Sequence, residues 1–154
     1  MSSQEHASTV FSHTYTEGNG QVPPSDVFPG FTESFVLTVH GKGGHGASPH
    51  LTCDPVSAAV QIVLSIPGIQ TRMIDPLEKI RFSFHSIHGG SAFNVIPDCV
   101  EIRGSIHCAH GSVFALVNAR LNELITATAS VYGCTAEIRL LTESTADHFR
   151  LSDE

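Results

Sequence analysis

Residues 35–49, FVLTVHGKGGHGASP, contain the change of pattern that decides the fold. The segment opens with apolar and β-branched residues, Phe35 to Val39, which are typical of a strand. Glycines at positions 41, 43, 44 and 46 then surround His45. Glycine allows positive φ angles and close backbone approach, so this density of glycine predicts a tight, exposed loop that holds one imidazole.

A second glycine loop, HGGSAFNVIP over residues 88–97, has the same arrangement. It also follows a predicted strand, and its polar side chain is Asn94. Loops at strand ends are common positions for binding and catalytic groups. We therefore expect the two loops to form half of a functional site whose other half lies outside this chain.

The composition restricts the class of protein. The chain has 154 residues, 41% of them hydrophobic, and a mean hydropathy of +0.08, which is typical of one globular domain. No apolar run approaches the ~20 residues that a membrane span needs, and the N-terminus lacks a signal-peptide pattern. The net charge of −7, with only eight Lys and Arg residues, argues against binding to nucleic-acid phosphates. We expect a soluble, cytoplasmic protein with neither nucleic acid nor membrane as a partner.

Cysteine and histidine spacing gives no metal or disulfide pattern. The four cysteines are far apart and include no Cys-x-x-Cys pair, so reduced thiols are expected at Cys53, Cys99, Cys108 and Cys134. His-Glu-x-x-His is absent, and His45 and His50 have no carboxylate or thiol at ligand spacing. We expect this chain to hold no metal and no other cofactor.

The first predicted helix has a clear start. Asp54 suits the N-cap and Pro55 the first helical position, and Pro67-Gly68 predicts the end. A period of three and four residues predicts its buried stripe at Val56, Ala59, Val60, Val63 and Leu64.

Hydrophobic periodicity predicts the remaining elements. A second helix runs from near Ser112 to a stop at Gly133, with a stripe at Phe114, Val117, Leu121, Leu124, Thr128 and Val131. Alternation of apolar and polar residues predicts strands over residues 33–40, 79–87, 99–108 and 135–141. Residues 1–32 are predicted to be a flexible leader or linker and residues 143–154 a polar tail, because neither segment has a period.

The predicted element order is β-α-β-β-α-β. This order predicts an α+β fold of ferredoxin-like type, a two-layer sandwich with two helices on one face of a four-stranded antiparallel sheet. The first and last strands would be antiparallel neighbours. The ends of the domain would then lie side by side, as insertion into a host domain requires.

Several common site motifs are absent or incomplete. Gly41, Gly43 and Gly46 match the spacing of a dinucleotide fingerprint, but the last glycine should open a helix, and Pro49 and further loop residues intervene here. The chain also has no Gly-Lys-Ser/Thr and no Gly-x-Ser-x-Gly. These patterns exclude nucleotide binding and serine-hydrolase chemistry of the usual kinds.

The quoted motifs together resemble a known family. GKGGHGASPH, DPVSAAVQIV, KIRFSFHSIHGG and SAFNVIPDCVEIRGSIHC are similar to segments of the lid, or dimerisation, domain of M20 metallopeptidases. The branch that the chain resembles most contains amidohydrolases of N-acyl amino acids, including aminoacylases, hippurate hydrolases and auxin-conjugate hydrolases. The resemblance covers residues 33–142. An unprotected edge strand can pair with the same strand of a second copy, so we expect a homodimer formed through the sheet edge.

The resemblance also implies roles for individual residues. His45 and Asn94 would reach the active site of a partner subunit, where they assist catalysis by binding substrate and stabilising an oxyanion. Gly90 and His107 would contribute to binding of an N-acyl amino acid substrate. His107 stands where the family usually has arginine, and histidine lacks the bidentate guanidinium fork. The expected zinc, or another divalent metal, would belong to a catalytic domain that is absent from this chain, so we expect the chain alone to be inactive.

Two classes of function stay open at this point. The chain is either the lid and dimerisation domain of a metal-dependent amidohydrolase or a free-standing ferredoxin-like module, with a binding or regulatory role, that uses the glycine loops for a small ligand. The absence of catalytic motifs excludes activity of the chain alone but does not distinguish these two classes.

Overall fold

The computed structural model describes residues 30–141. The predicted tail, and all but the last three residues of the predicted leader, lie outside this range. The described chain contains two helices and a four-stranded antiparallel sheet, which confirms the predicted α+β fold. Its elements are β1 Phe31–His40, β2 Gly44–His45, α1 Pro55–Arg72, β3 Ile80–His88, β4 Val95–Ile96, β5 Cys99–Cys108, α2 Gly111–Val131 and β6 Thr135–Leu141.

The main sheet has the strand order β3-β5-β1-β6, and every neighbouring pair is antiparallel. β2 and β4 form a separate two-stranded sheet in the glycine loops. β5 and β6 have the predicted bounds, and β1 begins two residues before the predicted start at Glu33. No helix in the described range is long and apolar enough to cross a membrane.

The core lies between the two helices and one face of the sheet. Alternation along β1 and β5 directs every second side chain toward the helices. The largest fully buried side chains come from both layers and include Phe35, Leu37, Ile102, Ile106, Ile62, Ile66, Ile69, Leu121 and Ile125. The opposite face of the sheet carries polar residues.

Helix α1 starts as predicted but ends later. Asp54 is the N-cap, and its Oδ1 accepts the backbone N–H of Val56 over 2.9 Å. The predicted end at Pro67-Gly68 is wrong, because the helix continues to Arg72. Proline removes one helical hydrogen bond. Burial of Ile66 and Ile69 on either side of Pro67 outweighs that loss.

The predicted stripe of α1 is also largely wrong. Only Ala59 of the five predicted residues is buried, and Val63 is half-buried. Val56, Val60 and Leu64 are 40%, 48% and 67% exposed. The helix has two apolar stripes, and the sheet covers the one that contains the isoleucines. The stripe that sequence periodicity selected mostly faces away from the core.

Helix α2 follows the prediction more closely. It begins at Gly111, one residue before the predicted start, and the chain turns at Gly133 with a φ of +69°. Val117 and Leu121 are buried as predicted, whereas Val131 is exposed. The buried positions recur at every fourth residue and are Val113, Val117, Leu121, Ile125 and Ala129.

β1 pairs with β6, as the fold predicted. Ser34 lies opposite Leu141, so the start of β1 and the end of β6 are neighbours. The other end of β1 pairs His40 with Cys99 and leads into the glycine loop. The ends of the domain and the glycine loops therefore lie at opposite ends of the sheet.

Candidate functional site

The pairing of β2 with β4 brings the two glycine loops together. His45 lies opposite Val95 in this ladder. The backbone N–H of Gly46 donates to the carbonyl oxygen of Asn94 over 2.8 Å. His45 and Asn94 therefore belong to one local structure, although 49 positions separate them in the chain (94 − 45).

The imidazole of His45 has a defined orientation. Its Nδ1 accepts the backbone N–H of Ala47 over 3.1 Å. Because Nδ1 is the acceptor, the proton of the neutral ring is assigned to Nε2. The side chain is exposed. The ring therefore presents an N–H donor to the surroundings of the domain.

Close backbone contacts explain the glycines of the first loop. A Cβ atom at Gly43 would lie 2.3 Å from the carbonyl oxygen of Ile96. At Gly41 it would lie 2.1 Å from the carbonyl oxygen of Cys53. No side chain fits at these positions, so the loop can follow the neighbouring backbone only with glycine.

Gly90 lies in the second loop with a φ of +75° and faces Pro97. It lines an open groove of about 590 Å³ between this loop and the start of α1, where Asp54 and Val56 also contribute. Phe93 lies at the rim and is fully exposed, at 108% of its reference area. The groove adjoins the loop of Asn94, but His45 does not line it.

His107 lies at the other end of the sheet. It is paired with Thr32 and Arg81, eight residues along β5 from Cys99. At ~3.3 Å per residue this separation is about 26 Å. The structure therefore does not bring His107 together with His45, Asn94 or Gly90 of the same chain.

The surroundings of His107 form a chain of polar contacts on the open sheet face. Its Nδ1 lies 2.9 Å from Oγ1 of Thr32, and its Nε2 lies 3.1 Å from Oγ of Ser105. The same hydroxyl lies 3.3 Å from Nε2 of His85. Ser105 is buried, and these contacts satisfy its hydroxyl. Within residues 30–141 no three His, Cys, Asp or Glu side chains are grouped so that they could hold a metal ion.

Sequence reasoning missed the contribution of Asp98. Its Oδ1 accepts the N–H of Gly43 over 2.8 Å, and its carbonyl oxygen accepts the N–H of Gly41 over 2.8 Å. The sequence signal that could have identified Asp98 is its position directly after Asn-Val-Ile-Pro. Its partners Gly41 and Gly43, however, can be identified only once the pairing of β4 with β2 is known.

The fold and the paired glycine loops define a ferredoxin-like α+β domain. A family model described as the peptidase dimerisation domain of M20 type matches residues 33–133, and the chain belongs to this family.

Curated relatives agree with this assignment. The chain is 34% identical over 125 residues to thermostable carboxypeptidase 1 of Saccharolobus solfataricus, a match that covers 79% of this chain and 32% of that protein. It is 42% identical over 106 residues to IAA-amino acid hydrolase ILR1-like 2 of Arabidopsis thaliana, covering 69% of this chain and 24% of that protein. It is 32% identical to an N-acyl-L-amino acid amidohydrolase of Geobacillus stearothermophilus, covering 70% and 29%. The chain therefore spans less than a third of the length of these relatives.

A solved structure shows the same architecture. A putative aminohydrolase from methicillin-resistant Staphylococcus aureus has a TM-score of 0.67 and 31% sequence identity, covering 73% of this chain and 30% of that one. The similarity is again confined to a part of the larger chain.

Proposed function

We propose that residues 33–142 are the lid and dimerisation domain of a cytoplasmic, metal-dependent amidohydrolase that acts on N-acyl amino acids or related amides. In this proposal His45 and Asn94 act in the active site of a partner subunit, and the domain alone is inactive. The observation that carries the proposal is the orientation of His45, because the bond from Ala47 to Nδ1 leaves Nε2–H as an outward-facing donor.

An oriented N–H donor suits the chemistry of amide hydrolysis. Negative charge develops on the amide oxygen during attack, and a fixed donor stabilises that charge by about 3 kcal/mol. Asn94 lies beside His45 and adds a second polar group that can contact substrate. The imidazole needs no further reorientation, because Ala47 already holds it.

The position of the site favours action outside the domain itself. His45 and Asn94 are exposed, and Phe93 beside them is fully exposed. Phe93, Val95 and Val56 are exposed around the same groove, and an exposed apolar patch with polar residues at its rim is typical of a contact surface. We assign this tip, defined as residues 41–48 and 89–97, to contact with the catalytic domain of the partner subunit.

The names of the relatives support the substrate class. The matches include an N-acyl-L-amino acid amidohydrolase and an IAA-amino acid hydrolase, both of which are named for hydrolysis of an amino acid conjugate. A Bacillus subtilis protein with this fold, 24% identical to the chain and with a TM-score of 0.54, is titled a dinuclear metal binding peptidase. A divalent metal in the catalytic domain would supply activation of water. Four free thiols within residues 30–141 suit a reducing compartment.

One side of α1 supports dimerisation through the β3 edge. Val56, Val60, Val63 and Pro67 are spaced by four and three residues, and the same step leads to Gln70. Gln70 donates its Nε2–H to the carbonyl oxygen of Ile80 at the start of β3, over 2.9 Å. The apolar stripe therefore lies on the β3 side of α1.

The stripe and the edge strand form one continuous surface. In the described sheet β3 has β5 on one side and no strand on the other. A second copy related by a two-fold axis could extend the sheet at β3 and cover the stripe with its own α1. We propose this homodimer in preference to one formed through the opposite edge, β6, which lies beside the two ends of the domain.

The separation of His107 from His45 has a consequence for the dimer. A distance of about 26 Å along β5 is too long for both side chains of one chain to contact the same small substrate. We therefore assign His107 to a different active site from the one that His45 of the same subunit reaches. Gly90 remains assigned to substrate binding at the tip.

Complementation tests the role of His45. In a polypeptide that joins this domain to its catalytic domain, His45→Ala should lower kcat about 100-fold, with a smaller effect on KM. Mixing this variant with one inactivated in the catalytic domain should restore activity, because one site of the hybrid dimer has an intact lid and an intact metal centre. Full activity of the His45→Ala homodimer would contradict the proposal.

The isolated 154-residue chain provides a second test. It should hydrolyse no N-acyl amino acid, with or without added zinc, and should purify without stoichiometric metal. Hydrolysis that a chelator abolishes would contradict the proposal.

A further inference from the structure

Three glycine N–H groups of the first glycine loop donate hydrogen bonds to Asn94 and Asp98. The loop is also held by the ladder between β2 and β4 and by the bridge between Lys42 and Cys53. Gly46 donates to the carbonyl oxygen of Asn94, and Gly41 donates to the carbonyl oxygen of Asp98, each over 2.8 Å. Gly43 donates to Oδ1 of Asp98, also over 2.8 Å. Among these three bonds, only the bond from Gly43 has a side-chain acceptor, the Asp98 carboxylate. A substitution at Asp98 can therefore remove it without altering the other acceptors.

The loop needs such an attachment because its own side chains provide little. Gly41, Gly43, Gly44 and Gly46 contribute no side-chain packing, and glycine has the largest backbone freedom of any residue. Gly43 lies directly against the backbone of Ile96, where a Cβ atom would not fit. Hydrogen bonds to a carboxylate are short and strong compared with neutral ones. The Asp98 carboxylate thus holds a part of the loop whose own residues have no side chains to hold it.

We infer that Asp98 is a positioning residue for His45. Its carboxylate fixes Gly43, two residues before His45, and its own carbonyl oxygen fixes Gly41. Together with the bridge between Lys42 and Cys53, these bonds set the course of the backbone into β2, and so the direction in which β2 presents the imidazole. Asp98 is also four residues after Asn94, so the same segment carries one candidate residue and orients the other. The catalytic consequence of this inference rests on the proposed function, but the positioning itself does not.

Asp75 provides a matched control. Its Oδ1 also accepts a backbone N–H, that of Leu77, over 2.9 Å. It lies between α1 and β3, at the opposite end of the sheet from the tip. Removing its carboxylate deletes the same kind of hydrogen bond without touching the glycine loop.

NMR on the 154-residue chain tests the positioning directly. In Asp98→Ala the amide hydrogen of Gly43 should exchange at least about tenfold faster, because its acceptor is lost. The ¹⁵N signals of the His45 ring, assigned by comparison with His45→Gln, should move from a single Nε2–H tautomer toward a mixture. Asp98→Asn, which keeps an Oδ1 acceptor, should retain both signatures, and Asp75→Ala should leave both unchanged. Slow exchange at Gly43 and an unchanged ring tautomer in Asp98→Ala would overturn the inference.

Kinetics in the polypeptide that includes the catalytic domain separates this inference from the proposed function. Asp98→Ala should lower kcat by about tenfold, less than His45→Ala does, with KM nearly unchanged. If His45→Ala leaves kcat unchanged while the NMR changes occur, the proposed function fails and Asp98 is still the residue that positions the loop. If His45→Ala lowers kcat about 100-fold while Asp98→Ala does not lower it, the positioning role is overturned.

Discussion

The backbone N–H of Ala47 donates to Nδ1 of His45 over 3.1 Å, and this bond assigns the ring proton to the nitrogen that faces outward. The two residues belong to one short turn, so the orientation is a local property of the glycine loop. This N–H donor has a fixed orientation, unlike that of a histidine side chain that rotates freely on a surface. The arrangement separates the proposed role of His45 in chemistry from any contribution to folding.

His45→Ala should therefore leave the stability of the isolated chain almost unchanged. The side chain is exposed, so the free energy of unfolding should change by less than about 0.5 kcal/mol. Urea denaturation followed by circular dichroism measures this change. A loss above about 2 kcal/mol would show that the ring supports the fold.

A charge on the exposed stripe of α1 should disrupt the proposed dimer. Val60→Glu places a carboxylate on the surface next to β3, where burial against a second copy would leave it desolvated. Sedimentation velocity should show a dimer for the unaltered chain and a monomer for the variant. Leu116→Glu is the control, because Leu116 is similarly exposed but lies on α2. Equal dimerisation of Val60→Glu and the unaltered chain would exclude this surface.

The buried side chains of α1 should contribute far more to the free energy of unfolding than exposed helical side chains do. Ile66→Ala removes a side chain that is 1% exposed and should cost about 2–5 kcal/mol. Leu116→Ala, at an exposed position of α2, should cost less than about 0.5 kcal/mol. Chemical denaturation of both variants checks the difference. Equal costs would contradict the observed burial of α1.

Substitution by alanine should change the stability of the fold in opposite directions at two glycines. Gly68 is helical, and a Cβ atom there meets nothing within 4 Å, so Gly68→Ala should raise stability by about 0.5–1 kcal/mol. Gly133 has a φ of +69°, and a Cβ atom there lies 3.1 Å from Sγ of Cys53. Gly133→Ala should lower stability by about 1–2 kcal/mol. Melting temperatures that shift in the same direction for both variants would contradict this contrast.

Burial of Cys108 should make the fold sensitive to alkaline pH. Burial, and secondarily the charge of Glu78, raises the pKa of this thiol above its ordinary value of 9.0. Above pH 9 the unfolded chain therefore releases a proton that the folded chain retains. The free energy of unfolding should fall as pH rises from about 9 through the folded pKa.

Urea titrations between about pH 8 and pH 10.5 measure this dependence, since the thiol titrates in that range. Cys108→Ala should show a shallower fall with pH than the unaltered chain, even though its stability is lower throughout. Ile62→Val, which removes no titratable group from the core, should keep the original slope. Identical slopes for all three chains would contradict a role for Cys108.

The sheet was predictable because its signals are local. The alternation in β5 marks the face of every residue, and its observed bounds, Cys99–Cys108, equal the predicted ones. In α1, by contrast, two apolar stripes satisfy the same helical period. Only the position of the sheet decides that Ile62 is buried and Val60 is exposed. Pro67 likewise ends a helix by local rules, but tertiary packing overrides those rules here.

The candidate site was predictable in part. The glycine pattern identified the loops of His45 and Asn94, and the pairing of β2 with β4 joins them. The two strands have two residues each, which is too short for a recognisable alternation. The hydrogen bond from Gly43 to Asp98 spans 55 positions, so no local pattern could reveal it. The distance of His107 from the tip follows from the length of β5 once the register is known.

β1 separates the attachment end of the domain from the loop of His45, so a small rotation at one end causes a large displacement at the other. One end of this ten-residue strand lies beside the end of β6, where a host protein would hold the domain. The other end, at His40, is ~33 Å away for a fully extended strand and leads into the loop of His45. A rotation of ~10° about the held end would carry the imidazole through ~6 Å, the scale of a hinge closure. In the proposed function, a small turn at the attachment would thus engage or withdraw the His45 donor while every contact inside the domain stayed the same.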